Sequence, residues 1–78
     1  MSRPHPTQVR LNGQLVAVSR FRESNGNVEF RTVRTWGSAI TGTHELPGWG
    51  WVRVYSVTVG GTEGILFKGQ AASRPDDD

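Results

Sequence analysis

The chain contains one strictly alternating stretch, Trp49-Gly50-Trp51-Val52-Arg53-Val54-Tyr55. Successive side chains of a β-strand point to opposite faces of the sheet. One face therefore receives the rings and the guanidinium of Trp49, Trp51, Arg53 and Tyr55, and the other receives Val52 and Val54. The two valines suit a hydrophobic core. The stretch predicts a strand with a core face and an aromatic, cationic face.

The remaining sequence also predicts strands and turns. Val, Thr and Ile recur, Gly appears every few residues, and no window of a dozen residues has a helical apolar stripe free of Gly or Pro. We expect an all-β chain of five strands with little or no helix. Residues 37–48, rich in Gly and polar side chains, are expected to form a long loop, and Gly60-Gly61 a turn.

Two Asn-Gly pairs mark the first half of the chain. Around Asn25-Gly26 a hairpin sets Phe21 opposite Phe30, and a change of parity after Phe30 predicts a bulge near Arg31 or Thr32. Asn12-Gly13 has two interpretations: a second hairpin turn, or a bend within one long curved strand of a small barrel. We favour the bend.

Length and composition define one small domain. A chain of 78 residues buries only about 60% of its unfolded surface, so we expect a homo-oligomer. The absence of Cys rules out disulfides and thiolate zinc sites. Three of the seven acidic residues end the chain as Asp76-Asp77-Asp78, so the rest is distinctly basic and suits a polyanionic partner.

The ends of the chain differ from its middle. Residues 1–6 and 73–78 lack apolar periodicity, so we predict a flexible N-terminal tail, a barrel domain over residues 7–72 and an acidic flexible C-terminal tail. No run of about 18 apolar residues and no apolar segment behind the first charges is present. We expect a cytoplasmic protein that does not associate with membranes.

Catalysis has little support in the sequence. The chain before the acidic tail has no Asp, four scattered Glu and two His, without metal-ligand spacing. His44-Glu45 is expected to be a solvated pair in the long loop. We expect no enzyme activity, no catalytic residues, no metal, no cofactor and no small-molecule substrate.

Short motifs in both halves of the chain occur in an order that resembles one known family. They are Val9-x-Leu11-x-Gly13-x-Leu15, Arg22 before Asn25-Gly26, Val28-x-Phe30, Trp51-x-Arg53-Val54 and Ile65-x-Phe67-x-Gly69-x-Ala71. This order resembles bacterial single-stranded DNA-binding proteins. The resemblance implies an OB-like fold, a five-stranded closed or partly open β-barrel that binds oligonucleotides. The family's helix before the last strand is replaced here by a few residues around Gly60-Gly61.

The resemblance also assigns roles. Trp51 matches a base-stacking Trp of the family, Trp36 falls near a second one, and Arg53 matches a basic residue beside the first. Exposed rings flanked by cations suit unpaired bases and their phosphates. The predicted nucleic-acid-binding residues are Arg22, Arg31, Arg34, Trp36, Trp51, Arg53, Tyr55 and Lys68.

Two functions remain open at this point. The first is binding of single-stranded nucleic acid, above all DNA, with little sequence specificity. The alternative is a small β-rich interaction module, such as a phage- or plasmid-encoded inhibitor or structural subunit, because Trp, Tyr and Arg dominate protein interfaces as readily as they bind bases. Trp49 is expected to extend the aromatic row or to seal the end of the barrel.

Overall fold

A computed structural model of the chain describes residues 4–33 and 41–73. Within these ranges six strands form one closed barrel, in the order β1-β2-β3-β6-β5-β4 and with every neighbouring pair antiparallel. The predicted all-β barrel is confirmed, with six strands rather than five. The strands are β1 (Gln8–Leu11), β2 (Gln14–Ser24), β3 (Asn27–Thr32), β4 (Gly42–Leu46), β5 (Gly50–Val59) and β6 (Ile65–Ala72).

Both Asn-Gly pairs are two-residue hairpin turns. Asn25 and Gly26 have φ of 53° and 83°, and Phe21 lies opposite Phe30 as predicted. The bend favoured at Asn12-Gly13 is wrong, because φ of 51° and 82° there and the pairing of Leu11 with Gln14 define a turn between two strands. Positive φ at both central residues is the geometry of a type I′ turn, which Asn-Gly adopts readily.

Strand β4 lies within the predicted loop at residues 37–48. It pairs with β5 from Gly42 opposite Val54 to Leu46 opposite Gly50, and it closes the barrel through Glu45 opposite Arg10 on β1. The loop prediction is therefore wrong for residues 42–46. His44 is buried on the inner face of β4 rather than solvated, and its polarity disguised the alternation of the strand.

Two register shifts shape the barrel wall. One lies in β2, between Val18 and Arg20, and the other in β5, between Val54 and Ser56. The bulge predicted near Arg31 or Thr32 is wrong, because β3 stays regular through Thr32 and the extra residue, Ser19, belongs to its partner β2.

The core fills the barrel from end to end. Phe30 and Phe67 stack with ring centroids 4.8 Å apart at its centre. At one end Trp49 is buried and meets Phe21 edge-on at 5.1 Å. The His5 ring lies 5.5 Å from that of the same phenylalanine, centroid to centroid, and Pro6 is buried. Trp49 therefore seals the barrel and does not extend the outer aromatic row.

The connection between β5 and β6 is a single 3₁₀ turn, Gly61–Glu63. Gly64 follows it with φ of 91°, and a side chain at this position would overlap the carbonyl oxygen of Thr32. The turn predicted at Gly60-Gly61 is confirmed. No helix in the described ranges is long and apolar enough to cross a membrane.

Candidate nucleic-acid interface

Strand β5 carries a row of three polar or aromatic side chains on the outside of the barrel. Val52 and Val54 are buried in the core, whereas Arg53 is exposed, Tyr55 is 60% exposed and Trp51 is partly exposed. The alternation predicted for residues 51–55 is therefore present in the structure. A row of this kind offers ring faces and donor groups to a molecule that lies along the strand.

Tyr55 faces outward by the alternation of β5 and lies at the bulge of this strand. Val54 pairs with Gly69 and Ser56 with Lys68, so Tyr55 is an additional residue without a partner on β6. Bulges redirect side chains and are frequent at functional sites. The Tyr55 side chain lines a groove of about 280 Å³ that also contacts Arg22 and the Asn25 and Asn27 positions of the β2–β3 hairpin. Two predicted residues, Tyr55 and Arg22, thus meet at one groove.

Lys68 lies on the outer face of β6, between β5 and β3. Its ammonium nitrogen is 3.8 Å from Oε2 of Glu29, the residue directly opposite it on β3. Arg22 lies on the other side of the same glutamate, on β2. The pair is half-exposed, so it contributes little to stability, and it leaves the surface cationic because one carboxylate faces two cations.

Arg31 lies on the outer face of β3 and is half-buried. Its Nη1 is 3.4 Å from Oε1 of Glu63, in the 3₁₀ turn before β6. The residue directly opposite it on β2 is Arg20. Arg20 was not among the predicted site residues, although its position two residues before Arg22, across the buried Phe21, placed it on the outer face by simple alternation.

Trp51 faces a different groove from that of Tyr55. It lies opposite Glu45 of β4, whose Oε1 is 3.4 Å from Nε of Arg10. A groove of about 380 Å³ runs between Trp51, this ion pair and Thr43. The Trp51 ring is therefore flanked by an arginine that sequence reasoning did not select, because only barrel closure brings β1 next to β4.

Arg53 connects the two grooves. It lies opposite Thr43 on β4 and Gln70 on β6, so it occupies the ridge between Trp51 and Tyr55. The predicted residues form a strip across β5, β6, β3 and β2 rather than a single pocket. Arg34 and Trp36 lie outside the described residues.

The described residues contain no group of three His, Cys, Asp or Glu side chains that could hold a metal ion. The chemistry that the strip offers is stacking and charge-assisted hydrogen bonding. Comparison with known proteins adds no assignment, because no protein-family model, no curated protein and no solved structure matches the chain.

Proposed function

We propose that this barrel binds single-stranded nucleic acid, above all DNA, with little sequence preference. The observation that carries the proposal is the outer row of β5, where a partly exposed Trp51, an exposed Arg53 and a 60% exposed Tyr55 alternate with two core valines. Exposed rings flanked by guanidinium groups match what unpaired bases and phosphates require.

The spacing of the two rings favours an extended strand. Residues four apart on a β-strand are separated by about 13 Å, because each residue rises about 3.3 Å. Bases stacked as in a duplex are spaced about 3.4 Å apart along one strand. Trp51 and Tyr55 therefore stack on two bases that are not neighbours in a stacked helix, and Arg53 contacts the phosphates between them. Duplex DNA, whose bases are already stacked, cannot use these rings.

The cations near the row differ in whether they already form an ion pair with a carboxylate. Within residues 4–33 and 41–73, Arg22 and Arg53 form no ion pair, whereas Arg31 and Lys68 are paired with Glu63 and Glu29. A phosphate can share a paired cation, since surface ion pairs are worth only about 0–1 kcal/mol. About four phosphate contacts then predict a slope of log affinity against log salt near −3, from about −0.7 for each contact with a single strand.

We also propose that the chain is a minimal, divergent relative of bacterial single-stranded DNA-binding proteins, with an OB-like barrel. The motifs around Asn25-Gly26, Trp51 and Ile65 and the closed barrel support this relationship, whereas Gly13 lies in a hairpin turn and not within a bent strand. The assignment of Trp36 remains a prediction of that resemblance, and that of Arg34 remains a prediction from its charge and outward position in the sequence.

The test is a fluorescence anisotropy titration with labelled oligo-dT and with a labelled duplex hairpin, repeated at several salt concentrations. We expect the wild type to bind oligo-dT with a salt slope near −3 and to bind the duplex much more weakly. Trp51→Ala should weaken binding about 5- to 150-fold, the equivalent of about 1–3 kcal/mol for one stacked base. The matched control is Leu15→Ala, an exposed aliphatic residue on β2 that lines none of the three grooves, which should bind like the wild type.

No binding of oligo-dT at micromolar protein, or equal affinity for the duplex, would overturn the proposal. Salt-insensitive capture of one protein partner through Trp51 would then favour the interaction module instead.

Self-association is part of the same proposal. Val33 and Val59 are 60% and 71% exposed at the end of the barrel where β3 and β5 terminate. A second copy could cover both valines at once, and the small size of the domain favours such an interface. Analytical ultracentrifugation should show an oligomer for the wild type and a shift toward monomer for Val59→Asp. A monomeric wild type would contradict it.

A further inference from the structure

Three arginines lie close together on the outer face of the β2–β3 hairpin, and the carboxylates nearby do not neutralise their charge. Arg20 and Arg31 occupy directly opposed positions, and Arg22 lies two residues along β2 from Arg20. Directly opposed like charges on neighbouring strands destabilise a sheet. Because this opposition lowers the free energy of unfolding, it indicates a role in binding rather than in stability.

The hairpin register places Arg20 opposite Arg31. From the Asn25-Gly26 turn outward the ladder is regular, so Phe21 pairs with Phe30 and Arg20 with Arg31. The bulge follows directly after this pair, where Val18 pairs with Thr32 and Ser19 is the additional residue. The Ser19 hydroxyl donates a hydrogen bond of 3.1 Å to the carbonyl oxygen of Arg31. The turn therefore brings Arg20 beside Arg31, and Ser19 contacts the backbone of Arg31.

Arg31 is oriented by an ion pair with the 3₁₀ turn before β6. Nη1 of Arg31 lies 3.4 Å from Oε1 of Glu63. Gly60 leaves room for it, since a Cβ on this glycine would lie 3.3 Å from the same nitrogen. The Arg31 guanidinium is thus oriented on one side and keeps its other donors for a ligand.

The other two arginines have no carboxylate of their own. In the described part of the chain neither Arg20 nor Arg22 forms an ion pair, and Glu29 makes its ion pair with Lys68 at 3.8 Å. Glu23, the next carboxylate along β2, accepts a hydrogen bond from the Gly26 N–H in the hairpin turn. Glu23 is therefore engaged in the turn, and Glu29 is the hairpin carboxylate near the three arginines, opposite Arg22 and shared with Lys68.

These side chains surround a small groove of about 110 Å³, lined by Arg20, Arg22, Glu29, Phe30, Arg31 and Leu66. The groove is large enough for a single tetrahedral anion. Arginine donors match phosphate oxygens in geometry as well as in charge.

We propose that the groove between Arg20, Arg22 and Arg31 is a binding site for one phosphate group. The proposal rests on the proposed function only for the source of this phosphate, the backbone of a bound strand. The chemistry would be the same for a free phosphate ion. The groove shares Arg22 and Glu29 with the groove of Tyr55, so a strand that places a base on Tyr55 reaches this site with an adjoining phosphate.

The first arm of the test uses inorganic phosphate and the full-length protein. Arginine side-chain Nε–Hε signals in ¹H–¹⁵N NMR spectra should shift for Arg20, Arg22 and Arg31 as phosphate is added at constant ionic strength, with chloride as the reference anion. Arg20→Gln should weaken phosphate binding about tenfold, the equivalent of about 1.4 kcal/mol for a lost charge-assisted hydrogen bond. Arg10→Gln is the control for this phosphate titration alone, because Arg10 is an exposed arginine that pairs with Glu45 and does not line the groove, and it should leave the titration unchanged.

The second arm uses oligo-dT with the same variants, after amide spectra have shown that each variant is folded. Weaker binding of both phosphate and oligo-dT by Arg20→Gln supports the site and its role on a strand. Phosphate shifts without any binding of oligo-dT support the site and refute the proposed function. If phosphate shifts no signal of the three arginines more than chloride does, the site is refuted, even where oligo-dT binds the wild type and Arg20→Gln equally.

Discussion

Trp49 and Trp51 are two residues apart, yet the structure gives them different roles. Trp49 is only 7% exposed and packs edge-on against Phe21 at 5.1 Å, where it closes one end of the core. Trp51 is partly exposed on the outer face of β5. We predict that Trp49→Ala and Trp51→Ala have very different effects on the free energy of unfolding.

The expected magnitudes follow from burial. Replacing a buried Trp by Ala costs about 3–5 kcal/mol, because the lost contacts leave a cavity. A domain of 78 residues has a total stability of about 4–12 kcal/mol, at about 0.05–0.15 kcal/mol for each residue. Trp49→Ala therefore removes a large part of the stability. Trp51→Ala should cost about 1 kcal/mol, because a partly exposed side chain loses only part of its transfer free energy.

The assay is urea unfolding followed by far-ultraviolet circular dichroism, since the substitutions remove fluorophores. With an m value of about 1 kcal/mol/M, Trp49→Ala should lower the midpoint by about 3 M or leave the chain unfolded without urea. Trp51→Ala should lower it by about 1 M. Trp49→Phe serves as the control, because it keeps an aromatic ring at the barrel end and should recover much of the loss. Equal midpoints for the two alanine variants, or the reverse order, would refute the assignment of Trp49 to the core and of Trp51 to the surface.

Three further substitutions test the barrel wall. Gly69→Ala should lower the melting temperature sharply, at a cost of about 1–3 kcal/mol or more, because a Cβ there overlaps the Arg53 carbonyl oxygen; an unchanged melting temperature would contradict the close approach of β5 and β6. Thr32→Val should stabilise the protein by about 1 kcal/mol in urea unfolding, since the buried Thr32 hydroxyl has no hydrogen-bond partner in the described part of the chain, and a loss of stability would reveal an unseen partner. Arg20→Thr should raise the melting temperature at low salt by about 2–5 °C by relieving repulsion from Arg31; this gain should vanish at about 1 M salt, and a gain that persists there would point to a cause other than charge.

Local sequence signals predicted the elements that depend on nearby residues. The Asn25-Gly26 turn fixed the register of its hairpin, because type I′ geometry leaves only one pairing for Phe21 and Phe30. The strict alternation of residues 51–55 placed Val52 and Val54 in the core for the same local reason. The last strand, Ile65–Ala72, followed from a glycine-rich turn before an apolar run.

The features that the sequence did not reveal depend on distant partners. Strand β4 has few apolar residues, and it forms because β5 and β1 offer it free edges on both sides. The extra residue in β2 is Ser19, and nothing about a serine beside an arginine signals a bulge. Trp49 fits the alternation of β5, but it lies before Gly50, where the strand begins, so its ring turns into the barrel end.

For the candidate site, too, the local pattern predicted some features, and the others depend on residues distant in the sequence. Alternation along one strand predicted the outward positions of Trp51, Arg53 and Tyr55. It could not predict which cations are paired, since the ion pair of Arg31 depends on a 3₁₀ turn that brings Glu63 close. Arg20 could have been found, because it flanks the inward Phe21 together with Arg22.

The most direct test of nucleic-acid binding is the dissociation constant for oligo-dT of three proteins: the wild type, Tyr55→Phe and Tyr55→Ala. Tyr55 is the most informative position because it is 60% exposed at a bulge, so its replacement should leave the fold intact. We expect Tyr55→Phe to bind like the wild type and Tyr55→Ala to bind about 5- to 150-fold more weakly, the equivalent of losing about 1–3 kcal/mol of stacking. Equal affinity of Tyr55→Ala and the wild type, with all three proteins folded, would contradict it.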